Sequence, residues 1–305
     1  MRSFHFEEKN MSKQKVSFLG LGAMGYPMAG FLVKKGYEVT VFNRTTAKAE
    51  KWADEYSSNE NPAKFAVTPE EAVADADIVF TCLGNDNDVR EVFTKIFASA
   101  KTGALLVDHT TTSPSLAQEL YAEAQKHNME FLDAPVSGGQ AGAEQGILTI
   151  MVGGDQTSFD NALDAMNSYA KATTLIGSSG KGQALKMVNQ LCITGILQGL
   201  SEAWSMAKAV DIDAKMMVDV LQHGAAGSWQ MVNRTETAMN NEFDFGFAID
   251  WMRKDLAICF DEAEKLGVEL PLAKQVDEKY AELQDRGYSR SDTSVLVKQF
   301  DNEKR

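Results

Sequence analysis

The stretch "VSFLGLGAMGYPMAGFL" (residues 16–32) decides how the first half of this chain folds. An apolar β-type run leads into Gly20, Gly22 and Gly25, which have the G-x-G-x-x-G spacing, and a helical pattern follows. The first glycine permits a tight turn, the second lets the backbone approach a pyrophosphate, and the third lets helix and strand pack closely. Pro27 falls in the first helical turn, where its missing N–H costs nothing. We predict a dinucleotide-binding turn, with an ordinary strand–helix turn as the alternative.

The flanking sequence repeats this alternation of strand and helix. Helix starts are indicated at Thr68-Pro69-Glu70-Glu71, where a capping threonine stands three residues before a glutamate, and at Ser113-Pro114. Several of the strand candidates are nearly continuous apolar runs, as in parallel strands covered on both faces. We therefore predict a doubly wound, Rossmann-type α/β domain over residues 14–178. The strand candidates are 15–20, 38–43, 76–83, 104–109, 129–134, 148–154 and 173–177.

From about residue 180 the hydrophobic period becomes helical, which predicts an all-α C-terminal domain over residues 179–305. Its first helix, residues 181–209, is about 40 Å long at 1.5 Å per residue. Because short helices alone are a poor cover for it, we expect a partner subunit in a homodimer or homotetramer. The alternative is that this helix is the axis of a monomeric helical domain. The shorter helices are expected at about 213–223, 250–266, 271–286 and 292–300.

Composition limits the classes of function. The 305 residues carry a net charge of −13, which argues against a nucleic-acid binder or an anionic-membrane binder. No apolar run of about 18 residues predicts a membrane span. The three cysteines have no metal-ligand spacing, so we expect no metal site and reduced thiols in a cytoplasmic protein. Residues 1–13 are polar and lack a signal-peptide pattern, which indicates a disordered extension, and Met11 is a possible start.

The residues after the second strand bear on cofactor choice. Asn43-Arg44-Thr45 stands where an acidic residue would favour NAD, and no carboxylate follows this strand to repel a 2′-phosphate. An arginine can pair with that phosphate, and Asn and Thr can donate hydrogen bonds. NADP is therefore the predicted cofactor, with NAD possible if Arg44 points to solvent. The predicted cofactor contacts here are Gly20, Leu21, Gly22, Ala23, Met24, Gly25, Asn43, Arg44, Thr45 and Leu83.

Six segments of the chain form a set with a fixed order and spacing: "GLGAMGYPMA" (20–29), "NRT" (43–45), "DHTTTSP" (108–114), "DAPVSGGQAGAEQGILTIMVGG" (133–154), "GKGQALKMVNQ" (180–190) and "KD" (254–255). Together they resemble the β-hydroxyacid dehydrogenases, which include 3-hydroxyisobutyrate dehydrogenase, tartronate semialdehyde reductase and the succinic semialdehyde and glyoxylate reductases. The resemblance implies reversible hydride transfer in a cleft between the two domains, and a dimer or tetramer. It places Lys186 on the catalytic lysine, Ser137, Gly138 and Gly139 on the substrate loop, and Thr111 and Lys254 on cofactor positions. Gln190 stands where relatives often have a second asparagine.

The chemistry requires one group that both donates and accepts a proton as hydride moves. A lysine does this when desolvation lowers its pKa, and the apolar helix "GQALKMVNQLCITGILQGL" (182–200) provides that desolvation for Lys186. Asn189 and Gln190 lie on the same helical face, so their amides are predicted to orient the ammonium or bind the substrate hydroxyl. A lysine that extends to solvent at the helix edge is the alternative.

The remaining site residues are predicted from smaller signals. The Ser137 hydroxyl and the backbone N–H groups around Gly138 and Gly139 suit a carboxylate, with a plain turn as the alternative. Thr111 follows a strand and is predicted to contact cofactor, although the threonine run can instead serve the next helix start. Lys254 is predicted to enter the cleft, held by Asp255, unless the two form a solvated surface pair. Trp229 is a specificity candidate, with core packing as the commoner use. His109 receives no role.

We therefore predict an oxidoreductase that acts with NADP(H) on a small 3-hydroxy acid or its semialdehyde. The acid is of the 3-hydroxyisobutyrate, tartronate semialdehyde/glycerate or succinic semialdehyde/4-hydroxybutyrate type. The alternative is a non-catalytic NADP-binding sensor or interaction protein on the same fold, which the presence of Lys186 disfavours. An imine reductase is disfavoured by the same lysine. A decarboxylating 6-phosphogluconate dehydrogenase is disfavoured because its second domain is longer than residues 181–305.

Overall fold

The computed structural model describes residues 14–59 and 61–301. The extension predicted at residues 1–13, with the possible start at Met11, lies outside the described residues. None of the helices in the described ranges is both long enough and apolar enough to cross a membrane.

The described residues form nine strands in one sheet, and all seven predicted strands are confirmed. The two strands that the sequence did not predict are two residues long, too short for a periodic signal. The strands are β1 (Lys15–Leu19), β2 (Glu38–Phe42), β3 (Lys64–Phe65), β4 (Ile78–Thr81), β5 (Leu105–Asp108), β6 (Glu130–Asp133), β7 (Val136–Ser137), β8 (Leu148–Gly153) and β9 (Ala170–Gly177).

The sheet has the strand order β3-β2-β1-β4-β5-β6-β8-β7, and β9 pairs with β8. The six strands from β3 to β6 in this order are parallel, as predicted for a doubly wound fold. β8 departs from that expectation, because it runs antiparallel to both β6 and β7. An apolar run does not encode direction, so the sequence pattern could not distinguish the two orientations. The parallel strands bring the loops that follow β1, β2, β4 and β5 to one edge of the sheet.

Twelve α-helices and one 3-10 helix are described. The long helix matches its predicted bounds, whereas the last predicted helix is 3-10 in form. The tenth helix was not predicted, because its glycine-rich approach obscured the Ser228 cap, which accepts a hydrogen bond from Met231 N. The α-helices are α1 (Gly25–Lys35), α2 (Thr46–Tyr56), α3 (Pro69–Val73), α4 (Asp86–Ser99), α5 (Pro114–Lys126), α6 (Gly139–Gln145), α7 (Gln156–Met166), α8 (Lys181–Ala209), α9 (Ala214–Leu221), α10 (Trp229–Met239), α11 (Ile249–Leu266) and α12 (Pro271–Asp285), and the 3-10 helix is Thr293–Phe300.

Both faces of the sheet carry a hydrophobic core. Along β4, Ile78 and Phe80 belong to one buried cluster while Val79 belongs to the other, and β5 divides in the same way. This follows from the period of two along a strand combined with helices on both sides. A third cluster, built around Trp204 and Tyr280, lies among the C-terminal helices.

The buried stripe of α8 changes character along its length. Its N-terminal half buries the polar side chains of Gln183, Lys186, Gln190 and Thr194 at helical spacing. Its C-terminal half continues the same stripe with apolar residues such as Leu197 and Trp204. The second half therefore forms the helical core, and the first half places functional groups against the sheet.

Candidate active site

The glycine turn has the geometry that its three spaced glycines predict. Gly20 has φ +98°, and a Cβ there would collide with the carbonyl of Cys82. Gly25 is confined by the carbonyl of Gly20, whereas a Cβ on Gly22 would have no atom within 4 Å. In the described structure no side chain caps α1, whose N-cap residue is Met24. The open backbone at Gly22 and the uncapped helix end fit the phosphates of a dinucleotide.

Asn43 stabilises this turn rather than facing outward. Its Oδ1 accepts a hydrogen bond from Leu21 N at 3.1 Å, and its Nδ2 donates to Thr45 O at 3.2 Å. Leu21 is buried, while Ala23 is exposed and Met24 is half-buried in the turn. Of the predicted cofactor contacts, Asn43 and Leu21 thus have structural roles that the spacing alone did not reveal.

Arg44 lies at the open edge of the same turn. Its side chain is 84% exposed, and Nη1 is 3.6 Å from Oδ1 of Asp88 near the start of α4. Asp88 also accepts a hydrogen bond from Asn85 Nδ2 at 3.2 Å. The sequence prediction considered only the residues after β2, where no carboxylate stands, and so missed this one. The acidic residues that follow β4 were the available signal, because parallel strands end at a common edge.

Lys186 is buried at the opposite end of the site. The residue is 7% exposed, and Nζ donates to Val136 O at 2.9 Å, directly before Ser137. Burial lowers the pKa of this ammonium below its ordinary value of 10.5, while the Asp255 carboxylate opposes that shift and Lys254 reinforces it. Lys186 therefore does not extend to solvent, and its amine lies beside the predicted substrate loop.

A chain of polar contacts runs from α8 through α11 to the loop after β5. Asn189 Nδ2 donates to Gln190 Oε1 at 2.8 Å, and Gln190 Nε2 donates to Asp255 Oδ2 at 2.6 Å. Asp255 Oδ1 lies 3.0 Å from Lys254 Nζ without hydrogen-bond geometry, and that ammonium donates to Thr111 O at 2.6 Å. The Lys254 and Asp255 side chains are 22% and 3% exposed, so they are not a solvated surface pair.

The two amides of this chain differ from their predicted use. Asn189 and Gln190 share a helical face with Lys186, as expected, but within the described residues neither forms a hydrogen bond to its ammonium. Gln190 instead contacts Asp255, whose charge acts on Lys186. The influence of these amides on the lysine is therefore indirect.

The predicted substrate loop connects β7 to the short helix α6. Ser137 is half-buried, and Gly138 and Gly139 are exposed with φ of +132° and +61°. These positive φ values favour glycine over residues that have a Cβ. The loop therefore begins at the residue that directly follows Val136, whose carbonyl accepts the hydrogen bond from Lys186.

The threonine loop after β5 is held at several points. Leu83 N donates to Thr110 Oγ1 at 2.8 Å, which joins the loops after β4 and β5. Ser113, rather than a threonine, caps α5 by accepting a hydrogen bond from Leu116 N. Because the threonines are not used as the helix cap, the alternative that they serve only the start of α5 is wrong. Thr111, which lies between Thr110 and Thr112 in this loop, is half-buried.

Asp133 and Gln183 are two buried polar residues that sequence reasoning did not single out. Asp133 Oδ1 accepts from Gly180 N at 2.7 Å and Oδ2 accepts from Gln183 N at 2.9 Å, so β6 caps α8. Gln183 bonds to the backbone of Thr110 and Thr112. Both residues lie in segments that resemble the family, but local spacing does not reveal partners 47 to 73 residues away.

His109, to which no role was assigned, is structural. Its Nδ1 lies 2.6 Å from Ala134 O, its Nε2 lies 2.8 Å from Tyr169 Oη, and its ring stacks on Phe80. Burial lowers the pKa of His109 to about 4, which keeps the imidazole neutral. The neutral ring donates to the carbonyl and accepts from the phenol, and so crosslinks the sheet behind the glycine turn.

The described contacts of Trp229 are with residues of the C-terminal helices. Trp229 begins α10 and is 49% exposed, and Arg234 Cζ lies 4.8 Å from the centroid of the Trp229 ring and 5.0 Å from that of Phe245. Arg234 in turn pairs with the buried Asp292 at 3.1 Å. Within the described residues no hydrogen bond or ring contact joins Trp229 to the site, so its predicted part in specificity has no support from this geometry.

Comparison with known proteins agrees with this architecture. The family "NAD binding domain of 6-phosphogluconate dehydrogenase" matches residues 15–177, and "NAD-binding of NADP-dependent 3-hydroxyisobutyrate dehydrogenase" matches residues 180–300. An uncharacterised oxidoreductase of Shewanella frigidimarina is 51% identical over 93% of this chain and 97% of its own. A probable mitochondrial 3-hydroxyisobutyrate dehydrogenase-like protein of Arabidopsis thaliana is 36% identical over 94% of this chain and 85% of its own.

Solved structures lead to the same family. A Mycobacterium tuberculosis 3-hydroxyisobutyrate dehydrogenase, solved with L-serine, superposes with a TM-score of 0.82 at 31% identity and covers 93% of this chain and 98% of its own. The match extends over both the sheet and the helical half. The chain therefore belongs to the β-hydroxyacid dehydrogenases, NAD(P)-dependent oxidoreductases that act on a CH–OH group.

Proposed function

We propose that this protein transfers hydride between NADP(H) and a short 3- or 4-hydroxy acid or its semialdehyde, with Lys186 as general acid and base. The acid is of the 3-hydroxyisobutyrate, glycerate or 4-hydroxybutyrate type. One observation carries the proposal: the Lys186 ammonium is buried, has a lowered pKa, and is bonded to Val136 O directly before the Ser137 loop. Because desolvation lowers its pKa, a buried amine releases its proton more readily than a solvated lysine, as a group that both donates and accepts a proton must.

The cofactor site is proposed to extend along the carboxyl edge of the sheet. Bound NADP(H) supplies or accepts the hydride. The Gly20–Gly25 turn would hold the pyrophosphate, and Leu83, Thr111 and Lys254 would contact the cofactor further along the edge. Arg44 would leave Asp88 to pair with the 2′-phosphate, and its 84% exposure means that little has to be displaced.

The proton steps follow from the residues at the opposite end. The Ser137 hydroxyl and the N–H groups of Gly138 and Gly139 would bind the substrate carboxylate and orient the carbonyl toward Lys186. Lys186 then gives its proton to the nascent alkoxide, and takes one from the hydroxyl in the reverse direction. Asn189 and Gln190 act through Asp255. The small amino acid that accompanies the Mycobacterium tuberculosis relative supports a small carboxylate-bearing ligand.

We also propose that the protein forms a homodimer or homotetramer. The face of α8 turned away from its own helical core carries Val188, Ile196 and Met206, which are 52%, 38% and 66% exposed. Met216 and Val220 on the adjoining α9 are 62% and 66% exposed. Apolar residues exposed along neighbouring helices favour a subunit interface. Light scattering during gel filtration tests this, and a mass of one chain at micromolar concentration would contradict it.

A cytoplasmic location is proposed from the cysteines. Cys82, Cys192 and Cys259 are all free thiols in the structure. Reduced cysteines suit a cytoplasm better than an oxidising compartment. Labelling the thiols in extracts of the source cells tests whether they are reduced there.

The activity is tested with a panel of hydroxy acids and semialdehydes, each with NADP(H) and with NAD(H), by following absorbance of the reduced nicotinamide. We expect turnover of at least one short 3- or 4-hydroxy acid pair and a preference for NADP(H). Tight NADPH binding with no turnover across the panel would instead favour the non-catalytic sensor. Turnover with NAD(H) alone would contradict the role of Arg44.

A further inference from the structure

The side chain of Gln183 links two parts of the site that are far apart in the chain. It is completely buried in the first turn of α8. Its Oε1 accepts from Thr112 N at 3.1 Å, and its Nε2 donates to Thr110 O at 2.7 Å. One amide thus binds the backbone on both sides of Thr111, and the side chain is bonded to the loop rather than to its own helix.

The same turn of α8 leads directly to Lys186. Gln183 and Lys186 are three residues apart on the buried stripe, about one helical turn. A helix is stiff over that distance, so the backbone positions of Gln183 and Lys186 are fixed relative to each other. The threonine loop and the proton-transferring amine are therefore connected through a single side chain.

The end of α8 has little freedom to shift. Asp133 accepts from Gly180 N and Gln183 N, which holds the first turn against β6. A Cβ on Gly182 would come within 2.5 Å of Met151 O and 2.8 Å of Asp133 O, so helix and sheet are in close contact there. Because this contact is close-packed, the first turn of α8 keeps a fixed position relative to the sheet.

The loop is held from its other side as well. Thr111 O accepts from Lys254 Nζ at 2.6 Å. With Gln183 bonded to Thr110 and Thr112, the backbone around Thr111 is held on both flanks and at its centre. The bonds of the Gln183 side chain are not needed to cap α8, since Asp133 already accepts hydrogen bonds from the N–H groups at its start.

We infer that Gln183 is a positioning residue that sets the threonine loop in register with Lys186. The inference rests on the proposed function, in which that loop contacts the cofactor and that lysine transfers the proton. Gln183 itself is not expected to touch cofactor or substrate. Its loss should release the threonine loop from its fixed place relative to the amine and so weaken NADPH binding, in a protein that is still folded.

Two substitutions separate the hydrogen bonds from the packing. Gln183→Met keeps the length of the side chain and removes both bonds. Gln183→Glu keeps both bonds when the acid is protonated, because a neutral carboxyl has one donor and one acceptor, and loses the bond to Thr110 O when it ionises. Burial beside Asp133 raises the pKa of such a glutamate. The matched control is Gln198→Met, on the same helix, where the glutamine bonds to Glu202 and Gln299.

NADPH affinity is measured by fluorescence titration at pH 5.5 and pH 8.5, with a thermal melt of each variant. Turnover is measured with the hydroxy acid that wild type oxidises fastest in the panel above. Relative to wild type at the same pH, we expect Gln183→Met to bind NADPH about tenfold more weakly and to lose about 100-fold in kcat/KM. We expect Gln183→Glu to come within about threefold of wild type at pH 5.5 and to resemble the methionine variant at pH 8.5.

The outcomes separate this inference from the proposed function. Wild type that binds neither NADPH nor NADH, or turns over no acid, overturns the proposed function. If wild type is active, wild-type affinity and turnover in Gln183→Met overturn the inference. So does a Gln183→Glu ratio to wild type that does not change with pH, and this test remains available if the methionine variant does not fold.

Discussion

Two cations mark opposite ends of the site, and their surroundings differ in kind. Lys186 is 7% exposed and bonded at 2.9 Å to a backbone carbonyl, among side chains that are themselves hydrogen-bonded. Arg44 is 84% exposed and has one ion pair at 3.6 Å to a partly exposed carboxylate. Both positions were predicted from the sequence as functional cations, yet only the lysine is held in place.

The difference teaches where this protein concentrates its electrostatic control. A charge in low-dielectric surroundings responds strongly to each neighbour, whereas an exposed ion pair is screened and contributes about 0–1 kcal/mol. The proton-transfer end should therefore be sensitive to single atoms, and the phosphate end should tolerate substitution. Substitutions at the two ends should reveal that contrast.

The largest effect is expected at Lys186. Lys186→Met should lower kcat/KM by about 10²- to 10⁴-fold, because no other group replaces the proton donor, while NADPH affinity stays within about threefold. The exposed Lys181 on the same helix provides the control, and Lys181→Met should retain wild-type turnover. Steady-state kinetics and NADPH titration measure both, and a Lys186→Met enzyme with normal turnover would falsify the assignment of the base.

Burial should also be visible in stability at the strand end behind the glycine turn. Burial raises the pKa of Asp108 to about 6 and lowers that of its neighbour His109 to about 4. In the folded protein the Asp108 carboxyl keeps its proton at pH values above its ordinary pKa of 3.8. Its contribution to the unfolding free energy therefore falls as pH rises from 3.8 to 6. In the folded protein the His109 imidazole stays neutral at pH values below its ordinary pKa of 6.5. Its contribution to the unfolding free energy therefore increases as pH rises from 4 to 6.5.

Substitution should separate these two opposing slopes, each amounting to at most about 3 kcal/mol. Relative to that of wild type, the unfolding free energy of Asp108→Asn should increase as pH rises from 4 to 6. The unfolding free energy of His109→Gln, relative to that of wild type, should decrease as pH rises from 4 to 6.5. Urea unfolding across this range is the measurement. Parallel curves for the two variants and wild type would show that these groups do not titrate as the burial indicates.

A smaller effect is expected at Asp255. Its carboxylate raises the pKa of Lys186 against the effect of burial, so Asp255→Asn should lower that pKa further. Reduction needs the protonated lysine, and its kcat/KM should therefore begin to fall at a pH about one unit lower than in wild type. Asp261→Asn, at an exposed position on α11, is the control. A pH profile that does not move would exclude Asp255 as the group that controls the lysine.

The smallest effect is expected at the exposed end. Asp88→Asn frees Arg44 from its ion pair, so NADPH should bind about two- to fivefold more tightly while NADH is unaffected. Adding Arg44→Ser to this variant should abolish the gain, because the arginine is then no longer present to use it. Titrations at low and high salt measure the effect. An equal gain for NADH would mean that Asp88 acts on something other than the 2′-phosphate.

Much of this architecture could be predicted because its signals are local. The seven longer strands, the glycine turn and the bounds of α8 all follow from periodicity and turn chemistry within a few residues. The two-residue strands β3 and β7 gave no periodic signal, and α10 was obscured by the glycines before Ser228. The direction of β8 could not be predicted, since an apolar strand reads the same in either orientation.

The sequence by itself determined that Gly20, Gly22 and Gly25 form a turn between strand and helix, and that Lys186, Asn189 and Gln190 share one face of a long helix. These properties depend on backbone sterics and helical spacing, which act over neighbouring residues. The tertiary structure alone decided that Asp88 faces Arg44, that Asp255 faces Lys186, and that Gln183 binds the threonine loop. Those partners are 44 to 73 residues apart, and only the packing of helices against the carboxyl edge of the sheet brings them within hydrogen-bond or charge range.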